Sequence, residues 1–263
     1  MEISLYQVDA FTDKAFGGNP AAVCPLESWL DAATMQAIAA ENNLSETAFF
    51  VNKPTGYDLR WFTPTFEIDL CGHATLASAY VIFEYLDRTA AFVDFQTKSG
   101  LLTVTRQGDL LSMDFPARPP KPITPPQALL DGLGGAAPQE VMASRDAFVV
   151  YENADQVRAL APDPRLLKQV EYMGVIATAP GDEGAGVDFV SRFFAPNAGI
   201  DEDPVTGSSH STLIPYWAER LGKDELHALQ ISKRGGELWC RNLGARVAMA
   251  GRAALYMKGT IFL

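Results

Sequence analysis

Short runs of β-branched and aromatic residues, separated by turn residues, predict most of the strands in the first half of the chain. These runs are SLYQVDAF, TAFFV, DLRWF, FVDFQT and LLTVTR, and their length and composition are typical of strands. A longer segment, LDAATMQAIAAENN, has helical spacing instead. Its apolar residues fall on one helix face made of Leu30, Met35, Ile38 and Ala39.

Two further segments predict helices that begin directly after glycine turns. ATLASAYVIFEYL follows Gly72-His73, and STLIPYWAERL follows the turn 207–209. The earlier helix has two candidate N-caps, Ser28 and Asp31. Strand pairs around single helices predict an α/β (α+β) fold, in which mixed or antiparallel sheets each wrap around a central helix.

Two stretches of the chain resemble each other and predict an internal duplication. RWFTPTFEID at 60–69 and RFFAPNAGID at 192–201 carry Arg, an aromatic residue, Phe, Pro, Ile and Asp at the same offsets. Each stretch is followed by His-x-Thr-Leu, which begins at His73 in the first copy and at His210 in the second. The second interval is five residues longer, so we predict a five-residue insertion at 202–206.

A proline-rich segment, PARPPKPITPPQ, separates the two copies. Proline is excluded from the interior of helices and from central strands, so the segment predicts a stiff, extended linker. We therefore predict an N-terminal half at 1–116, a linker at 117–127 and a C-terminal half at 128–263. The active site is expected in the cleft between the two pseudo-symmetric halves.

The amino-acid composition excludes some classes of binding partner and of cellular location. The 263 residues carry a net charge of −11 with no Lys/Arg cluster, so no nucleic-acid partner is predicted. No apolar stretch reaches membrane-spanning length, and the N-terminus does not resemble a signal peptide. Three scattered cysteines, Cys24, Cys71 and Cys240, predict no disulfide framework and favour a reducing cytoplasm.

Motifs for metal and cofactor binding are missing from the sequence. It contains no HExxH, no CxxC and no P-loop, and its glycine-rich stretches lack the strand–turn–helix context of a dinucleotide site. We therefore predict no metal and no cofactor.

The two glycine turns are candidates for binding an anion. A helix N-terminus presents unpaired N–H groups and a partial positive charge, and glycine lets a ligand come close. For either Gly72 or Gly207 alone, a tight turn is a sufficient explanation. A related pair instead favours a cradle for a carboxylate or an enolate. His73, at one helix start, could donate to a substrate or exchange a proton.

Two acidic residues are candidates for acid–base chemistry. Glu46 stands at the entrance of an apolar strand, where partial desolvation would suit it to proton transfer, although the local sequence by itself favours a solvated turn glutamate. Asp203 lies in DEDPVTGSS, close to the second glycine turn. Asp201 and Glu202 are its neighbours and rivals, and a plain acidic loop is the alternative for all three.

Four blocks of the chain together resemble the phenazine-biosynthesis PhzF-like family. They are VDAFTDKAFGGNPAAV at 8–23, NLSETAFF at 43–50, DLCGHATLASA at 69–79 and DPVTGSSH at 203–210. The resemblance implies the diaminopimelate epimerase-like fold, with two similar halves each built round a central helix. It also implies cofactor-free proton transfer and a possible homodimer.

The resemblance also implies roles for particular residues. Glu46 holds the position of the proton-shuttling glutamate, His73 that of the histidine, and Asp203 and Ser208 those of the aspartate and serine. In related epimerases and racemases two cysteines serve as acid and base. Here Cys71 precedes the first glycine turn but the second has no cysteine, so Cys71 is interpreted as a small buried residue.

The predicted function is that of a cofactor-independent isomerase. Glu46, His73 and Asp203 are its predicted catalytic residues, and Gly72, Gly207 and Ser208 are predicted to bind a small carboxylate-bearing substrate. An epimerase or racemase on the same fold is one alternative. A non-catalytic small-anion-binding protein, or a purely structural or partner-binding protein, are the others.

Overall fold

The computed structural model describes residues 1–263 and divides them into two compact units. The first unit contains Met1–Asp114 together with Ala250–Leu263, and the second contains Phe115–Met249. The predicted boundary at residue 116 lies close to the observed one. The last segment of the chain, which was assigned to the half 128–263, is instead part of the first unit.

The first unit is built mainly of strands with two helices. Its strands before the unit boundary are β1 Glu2–Ala10, β2 Asn19–Leu26, β3 Glu46–Lys53, β4 Gly56–Phe62, β5 Glu67–Ile68, β6 Phe92–Thr97, β7 Gly100–Gln107 and β8 Leu110–Pro116, the last of which crosses the boundary. Its helices are α1 Ala32–Asn42 and α2 Gly72–Val81. A single π-helical turn, Ile82–Leu86, continues α2.

The second unit has the same mixture of strands and short helices. Its strands are β9 Lys121–Pro122, β10 Glu140–Ala143, β11 Ala147–Val150, β12 Val175–Pro180, β13 Phe189–Ala195, β14 Ile200–Asp203, β15 Glu225–Gln230, β16 Gly236–Asn242 and β17 Arg246–Gly251. Its helices are α3 Gln127–Leu133, α4 Ala154–Arg158, α5 Pro164–Leu167 and α6 His210–Leu221. A last strand, β18 Ala253–Phe262, follows.

Strand β18 explains why the C-terminal segment belongs to the first unit. It pairs antiparallel with β1 along the whole of β1, from Glu2 opposite Phe262 to Ala10 opposite Ala253. This ladder satisfies backbone groups that would otherwise form an open sheet edge. The predicted C-terminal boundary missed it because sequence spacing does not reveal a pairing between opposite ends of a chain.

The order of strand directions is the same in the two units. In the first, β1 is antiparallel to β2, β2 parallel to β3, β3 antiparallel to β4, β4 parallel to β6 and β6 antiparallel to β7. In the second, β10, β11, β12, β13, β15 and β16 repeat these five relations in order. Helices connect the parallel pairs, as such crossovers require. The repeated pattern supports the predicted duplication, and the mixed α+β fold class is confirmed.

Helix α1 forms where its pattern predicts. Asp31 is the N-cap, because its carboxylate accepts a hydrogen bond of 2.9 Å from the backbone N–H of Thr34. The helix ends at Asn43, which has a left-handed backbone conformation. Met35 and Ile38 are buried in a core cluster with residues of the sheet. Of the two predicted caps, Asp31 is therefore the one used.

Helix α2 is the central helix of the first unit. Nine of its ten residues are buried, and it packs against β1, β2 and β3. A helix that is buried on nearly all sides needs small and apolar residues throughout, which the sequence GHATLASAYV provides. The helix therefore holds His73 inside the unit rather than at its surface.

The proline-rich segment is extended but is not a separate linker. The N–H groups of Ala117, Arg118 and Ile123 donate to the carbonyls of residues 245, 211 and 141, all within the second unit. Lys121–Pro122 also pairs with β10. The segment predicted as a linker at 117–127 is therefore the first part of the second unit. None of the helices has both the length and the apolar character that crossing a membrane requires.

Candidate active site

Glu46 and His73 lie next to each other inside the first unit. Glu46 opens β3, where it is opposite Ala21 of β2, and His73 is the second residue of α2. The Oε2 atom of Glu46 is 3.0 Å from Nε2 of His73, and their side chains are only 10% and 6% exposed. The two atoms are not aligned as a hydrogen bond, and neither has another hydrogen-bond partner. Two predicted site residues thus form a close, buried pair.

The other ring nitrogen of His73 faces two further polar side chains. Its Nδ1 atom is 3.2 Å from the amide nitrogen of Asn19 and 3.6 Å from the sulfur of Cys71. Asn19 is fully buried, and Cys71 is 7% exposed. The imidazole thus has the carboxylate next to Nε2 and the thiol next to Nδ1, and the three groups form a compact cluster within 4.8 Å.

The surroundings of His73 change its affinity for protons. Burial alone would lower the pKa of the imidazole, but Cys71 and Glu46 outweigh burial and raise that pKa well above its usual value. Burial, reinforced by the negative charge of Glu46, raises the pKa of the Cys71 thiol. The negative charge of Glu46 therefore favours the proton on both the imidazole and the thiol.

The start of α2 is free of a capping side chain. Its N-cap is Cys71, whose side chain makes no capping hydrogen bond. Gly72 has a helical backbone, which any residue could adopt, so a demand for unusual backbone angles does not explain the glycine. Gly72 is buried, and without a side chain it allows other groups to approach the first turn of the helix closely.

In the second unit Asp203 stands at the end of β14, in a loop fixed by hydrogen bonds. Its carboxylate accepts a bond from the hydroxyl of Thr206. The side chain of Gln230, which is fully buried, donates to the Asp203 carbonyl and accepts from the Thr206 N–H, both at 2.8 Å. Asp203 is therefore held in place from two directions.

The structure separates Asp203 from its two acidic rivals. Glu202 forms a two-bond pair with Arg192, at 2.7 and 2.9 Å, and Asp201 is exposed. Glu202 thus has a structural partner, and Asp201 is in solvent. Asp203 is the acid of the three that lies next to the second glycine turn.

Gly207, Ser208 and Ser209 form a 3-10 turn directly before α6. Ser208 is half-buried, whereas the histidine after the turn, His210, is fully buried. The His210 ring is 2.9 Å from the carbonyl of Thr206 through Nδ1, and burial lowers its pKa to about 4. His210 is thus a neutral residue that ties the turn to the helix.

The insertion in the second copy is three residues long rather than five, and it lies earlier in the chain than the predicted 202–206. Arg60 pairs with Glu67 at 2.7 and 2.9 Å, the same two distances as between Arg192 and Glu202. Matching these pairs places all three extra residues before Glu202, at the 3-10 turn Pro196–Ala198, because Gly72 and Gly207 each follow their glutamate by five positions. His73 and His210 are therefore not equivalent, and their apparent match added two residues to the predicted insertion. The position predicted from the repeated sequence was wrong because that alignment matched Ile68-Asp69 to residues 200–201 and did not allow for this turn.

The same matching aligns the residues around the two glycine turns. It places Thr206 opposite Cys71, Gly207 opposite Gly72 and Ser208 opposite His73. Thr75 bonds back to the Cys71 carbonyl as His210 does to that of Thr206, which agrees with this register. The second unit therefore carries neither a cysteine nor a histidine at the corresponding site positions.

Two polar residues were missed by the sequence reasoning. Asn19 contacts His73, and Gln230 holds the Asp203 loop. Asn19 directly precedes an apolar run, PAAV, and a polar residue that opens a buried strand was the available signal. Gln230 gave no comparable signal. The predicted meeting of both glycine turns in one cleft stays a prediction.

Comparison with known proteins decides the family. The family model described as phenazine biosynthesis-like protein matches residues 8–259. The chain belongs to the PhzC–PhzF family. The predicted family is therefore confirmed across nearly the whole chain.

Relatives within the PhzC–PhzF family match from end to end. An uncharacterized isomerase of Pseudomonas aeruginosa is 53% identical, with all of both chains covered. The human phenazine biosynthesis-like domain-containing protein is 41% identical over 99% of both chains. The crystal structure of a PhzF-family protein from Enterococcus faecalis superimposes with a TM-score of 0.96 at 47% identity, again over both whole chains.

The fold extends beyond the PhzC–PhzF family. A probable proline racemase from Agrobacterium radiobacter, crystallised with carbonate, superimposes with a TM-score of 0.65 at 12% identity, covering 99% of this chain and 93% of the racemase. This likeness shows a shared fold. It agrees with the epimerase-like architecture that the sequence predicts.

Proposed function

We propose that this member of the PhzC–PhzF family is an isomerase that moves a proton on a small, carboxylate-bearing substrate without a cofactor. Glu46 removes a proton from an acidic C–H bond and returns it at another position of the substrate. His73 stabilises the carboxylate of Glu46 and accepts or donates a proton in turn. The isomerase class is that of several full-length relatives.

The buried contact between Glu46 and His73 carries this proposal. Their facing atoms are 3.0 Å apart in a site where both side chains are nine-tenths buried or more. Little water reaches such a carboxylate, so a bound substrate would not have to compete with solvent for the proton. The adjacent start of α2 offers uncapped N–H groups, which suit the carboxylate of a substrate.

The second unit supplies the remaining proposed roles. The carboxylate of Asp203 is held by Thr206 and its backbone by Gln230, so it is fixed in orientation and suited to accept a hydrogen bond from a substrate. Gly207 and the half-buried Ser208 form a second helix start without a side-chain cap. We propose that these residues bind polar groups of the substrate.

An epimerase that uses two cysteines is the less well supported alternative. Cys71 lies beside the proposed base, which favours an acid–base role for one thiol. The corresponding position before the second glycine is Thr206, whose hydroxyl is bound to Asp203. A threonine hydroxyl so held cannot replace a thiol as a proton carrier, so we favour one carboxylate with its histidine.

Deuterium labelling can test the proposal while the substrate is still unidentified. A metabolite extract is incubated in D2O with the wild-type protein or with the Glu46→Gln variant, and mass spectrometry finds the metabolites that gain deuterium. We expect one or a few carboxylates to gain a single deuterium with wild type, and at least about 100-fold slower labelling with the variant, since general base catalysis contributes about 10²–10⁴.

Glu225→Gln serves as the matched control, because Glu225 is an exposed glutamate whose side chain is 79% accessible. It should label the same metabolites at the wild-type rate. Equal labelling by Glu46→Gln would exclude Glu46 as the base. Ligand binding without any labelling by wild type would favour a non-catalytic anion-binding protein.

We further propose a cytoplasmic location and a homodimer. All three cysteines are free and buried, which suits a reducing compartment. Sedimentation of the purified protein measures its mass, and a mass equal to one chain would contradict the dimer.

A further inference from the structure

Three potential metal ligands from different parts of the chain meet in the first unit. One carboxylate oxygen of Glu46, the sulfur of Cys71 and one ring nitrogen of His73 all lie within 4.8 Å of one another. Motif searches look for ligands at fixed short spacings and cannot detect this set, because Glu46 stands on β3 and the other two at the start of α2. We propose that Glu46, Cys71 and His73 bind one Zn²⁺ ion and that the bound ion inhibits the enzyme.

The chemical types of the three ligands favour zinc. Zn²⁺ binds cysteine sulfur, histidine nitrogen and carboxylate oxygen, often with three protein ligands and one open position. In a tetrahedral site with bonds of about 2.0–2.3 Å, neighbouring ligand atoms lie roughly 3.3–3.7 Å apart. Nε2 of His73 and Oε2 of Glu46 are 3.0 Å apart, close to this value. The sulfur of Cys71 lies 3.6 Å from the other ring nitrogen, Nδ1, and since the three ligand atoms are within 4.8 Å of one another, a shift of about 1 Å brings the sulfur to the required spacing.

Two of the ligand atoms lack a hydrogen-bond partner. Oε2 of Glu46 and Nε2 of His73 are both buried and form no hydrogen bond, although they are 3.0 Å apart. A buried polar atom without a partner costs free energy. A cation that replaces the proton on Nε2 and binds both atoms would remove that cost, which favours binding.

The charges of the cluster also suit a divalent ion. Coordination removes the proton of a thiol, so zinc binding here releases protons and strengthens as the pH rises. The thiolate of Cys71 and the carboxylate of Glu46 together carry two negative charges, which balance the two positive charges of Zn²⁺. Hard cations such as Mg²⁺ prefer all-oxygen sites and should not bind here.

The cluster lies just below the surface. Glu46, Cys71 and His73 keep 8%, 7% and 5% of their surface exposed, so an ion reaches the buried ligand atoms only when neighbouring side chains move.

Inhibition follows if Glu46 and His73 transfer protons, so this part rests on the proposed function. A bound ion would occupy the carboxylate oxygen and a ring nitrogen that must otherwise exchange protons. Binding of the ion itself depends only on the three ligands. The two parts can therefore be tested separately.

The binding experiment uses the full chain, freed of metal with a chelator and kept reduced. Isothermal titration with Zn²⁺ should give one ion per chain with release of protons. Titration with Co²⁺ should give a thiolate-to-cobalt charge-transfer band in the near ultraviolet, because the sulfur of Cys71 is a ligand. Mg²⁺ should give neither signal.

Variants distinguish this cluster from other parts of the surface. Cys71→Ser should abolish the cobalt band, and Glu46→Gln and His73→Gln should each weaken zinc binding by at least about tenfold, as for disturbed metal sites. Cys24→Ser and His227→Gln are the controls, a buried cysteine and a surface histidine paired with Glu237, and should bind as wild type. Circular dichroism checks that each variant is folded, and Cys71→Ala replaces Cys71→Ser if the latter is not.

Each outcome decides the question. Binding that is absent, that is unaffected by Cys71→Ser, or that is lost in His227→Gln overturns the zinc site. One-to-one binding with a thiolate band that vanishes in Cys71→Ser supports it. With a deuterium-accepting metabolite in hand, zinc should stop the labelling at one equivalent; bound zinc with full labelling would refute inhibition while leaving the site intact.

Discussion

At the scale of single residues, the two helix-start histidines have opposite surroundings. His73 faces the carboxylate of Glu46 and has a raised pKa. His210 packs against the ring of Phe189, with no carboxylate beside it, and burial lowers its pKa to about 4. The same residue type is thus a candidate proton carrier in one unit and a neutral structural donor in the other.

Replacing Glu46 should lower the pKa of His73. In Glu46→Gln the negative charge is gone while burial remains, and burial favours the neutral ring. Nuclear magnetic resonance titration of the imidazoles measures the change, and with only three histidines in the chain the assignment is direct. Glu237→Gln, which removes the partner of His227, should leave His73 unchanged. An unaltered His73 titration in Glu46→Gln would show that Glu46 does not set its charge.

Buried His210 should make the protein sensitive to mild acid. Its folded-state pKa of about 4 lies below the usual 6.5, so the unfolded state binds more protons between these two values and the free energy of unfolding falls as the pH falls. The loss from pH 7 to pH 4 is about 3 kcal/mol. His210→Asn keeps a donor for Thr206 but cannot take up the proton. Urea unfolding at several pH values should show this decrease in the free energy of unfolding in wild type but not in His210→Asn.

At the scale of elements, an arginine–glutamate pair joins two strands in each unit. Arg60 and Glu67 connect β4 to β5, and Arg192 and Glu202 connect β13 to β14. Arg192 does more, because it also donates to the carbonyls of Val157 and Leu160. The Arg192–Glu202 pair therefore fixes the segment at residues 157–160 as well as the hairpin of β13 and β14.

Loss of Arg192 should therefore cost more stability than loss of Arg60. We expect about 3–5 kcal/mol for Arg192→Gln, which leaves a half-buried carboxylate and several carbonyls without their donor, and about 1–3 kcal/mol for Arg60→Gln. Denaturant unfolding of the two variants measures the difference. Equal costs would mean that the carbonyl contacts contribute nothing.

Most elements could be predicted because their patterns are local. The strands in the first half and α1 follow from β-branched runs and from a helical face. Strand β2, NPAAVCPL, was missed because it contains two prolines and is buried without alternation, so neither composition nor period marks it as a strand. The short hairpin turn at Pro196–Ala198 was missed because a turn of this kind leaves the sequence echo around it intact.

The candidate site could be predicted only in part. Glu46 and His73 followed from family blocks and from strand and helix starts. Their contact, the place of Cys71 beside them and the involvement of Asn19 depend on how β2, β3 and α2 pack, and this packing joins residues far apart in the chain. The spacing of apolar residues along a strand or a helix contains no information about contacts between residues far apart in the chain.

At the scale of the whole molecule, the second unit is inserted into the first along the chain. Residues 115–249 separate β18 from the rest of its unit, and β18 is bonded to β1 from end to end. The first unit is therefore complete only when both parts of the chain are present.

Removal of β18 should destabilise the first unit selectively. A chain ending at Arg252 would leave the edge of β1 open, and an open edge invites pairing with other chains. We expect fast hydrogen exchange of the β1 amides and aggregation, with near-native exchange in the second unit. A synthetic peptide of Ala250–Leu263 should restore protection in β1. Protection that is unchanged without β18 would contradict this expectation.

The late position of β18 also affects how the protein is made. On the ribosome, residues 1–114 emerge before the whole second unit, and at about 5–20 residues per second the nascent first unit waits several seconds for its final strand. During this time the edge of β1 is exposed to other nascent chains and to chaperones. The second unit is continuous in the chain and can fold before β18 has been synthesised. The order of translation therefore makes the first unit the last of the two to be completed, although neither the fold nor the chemistry of the site requires this order.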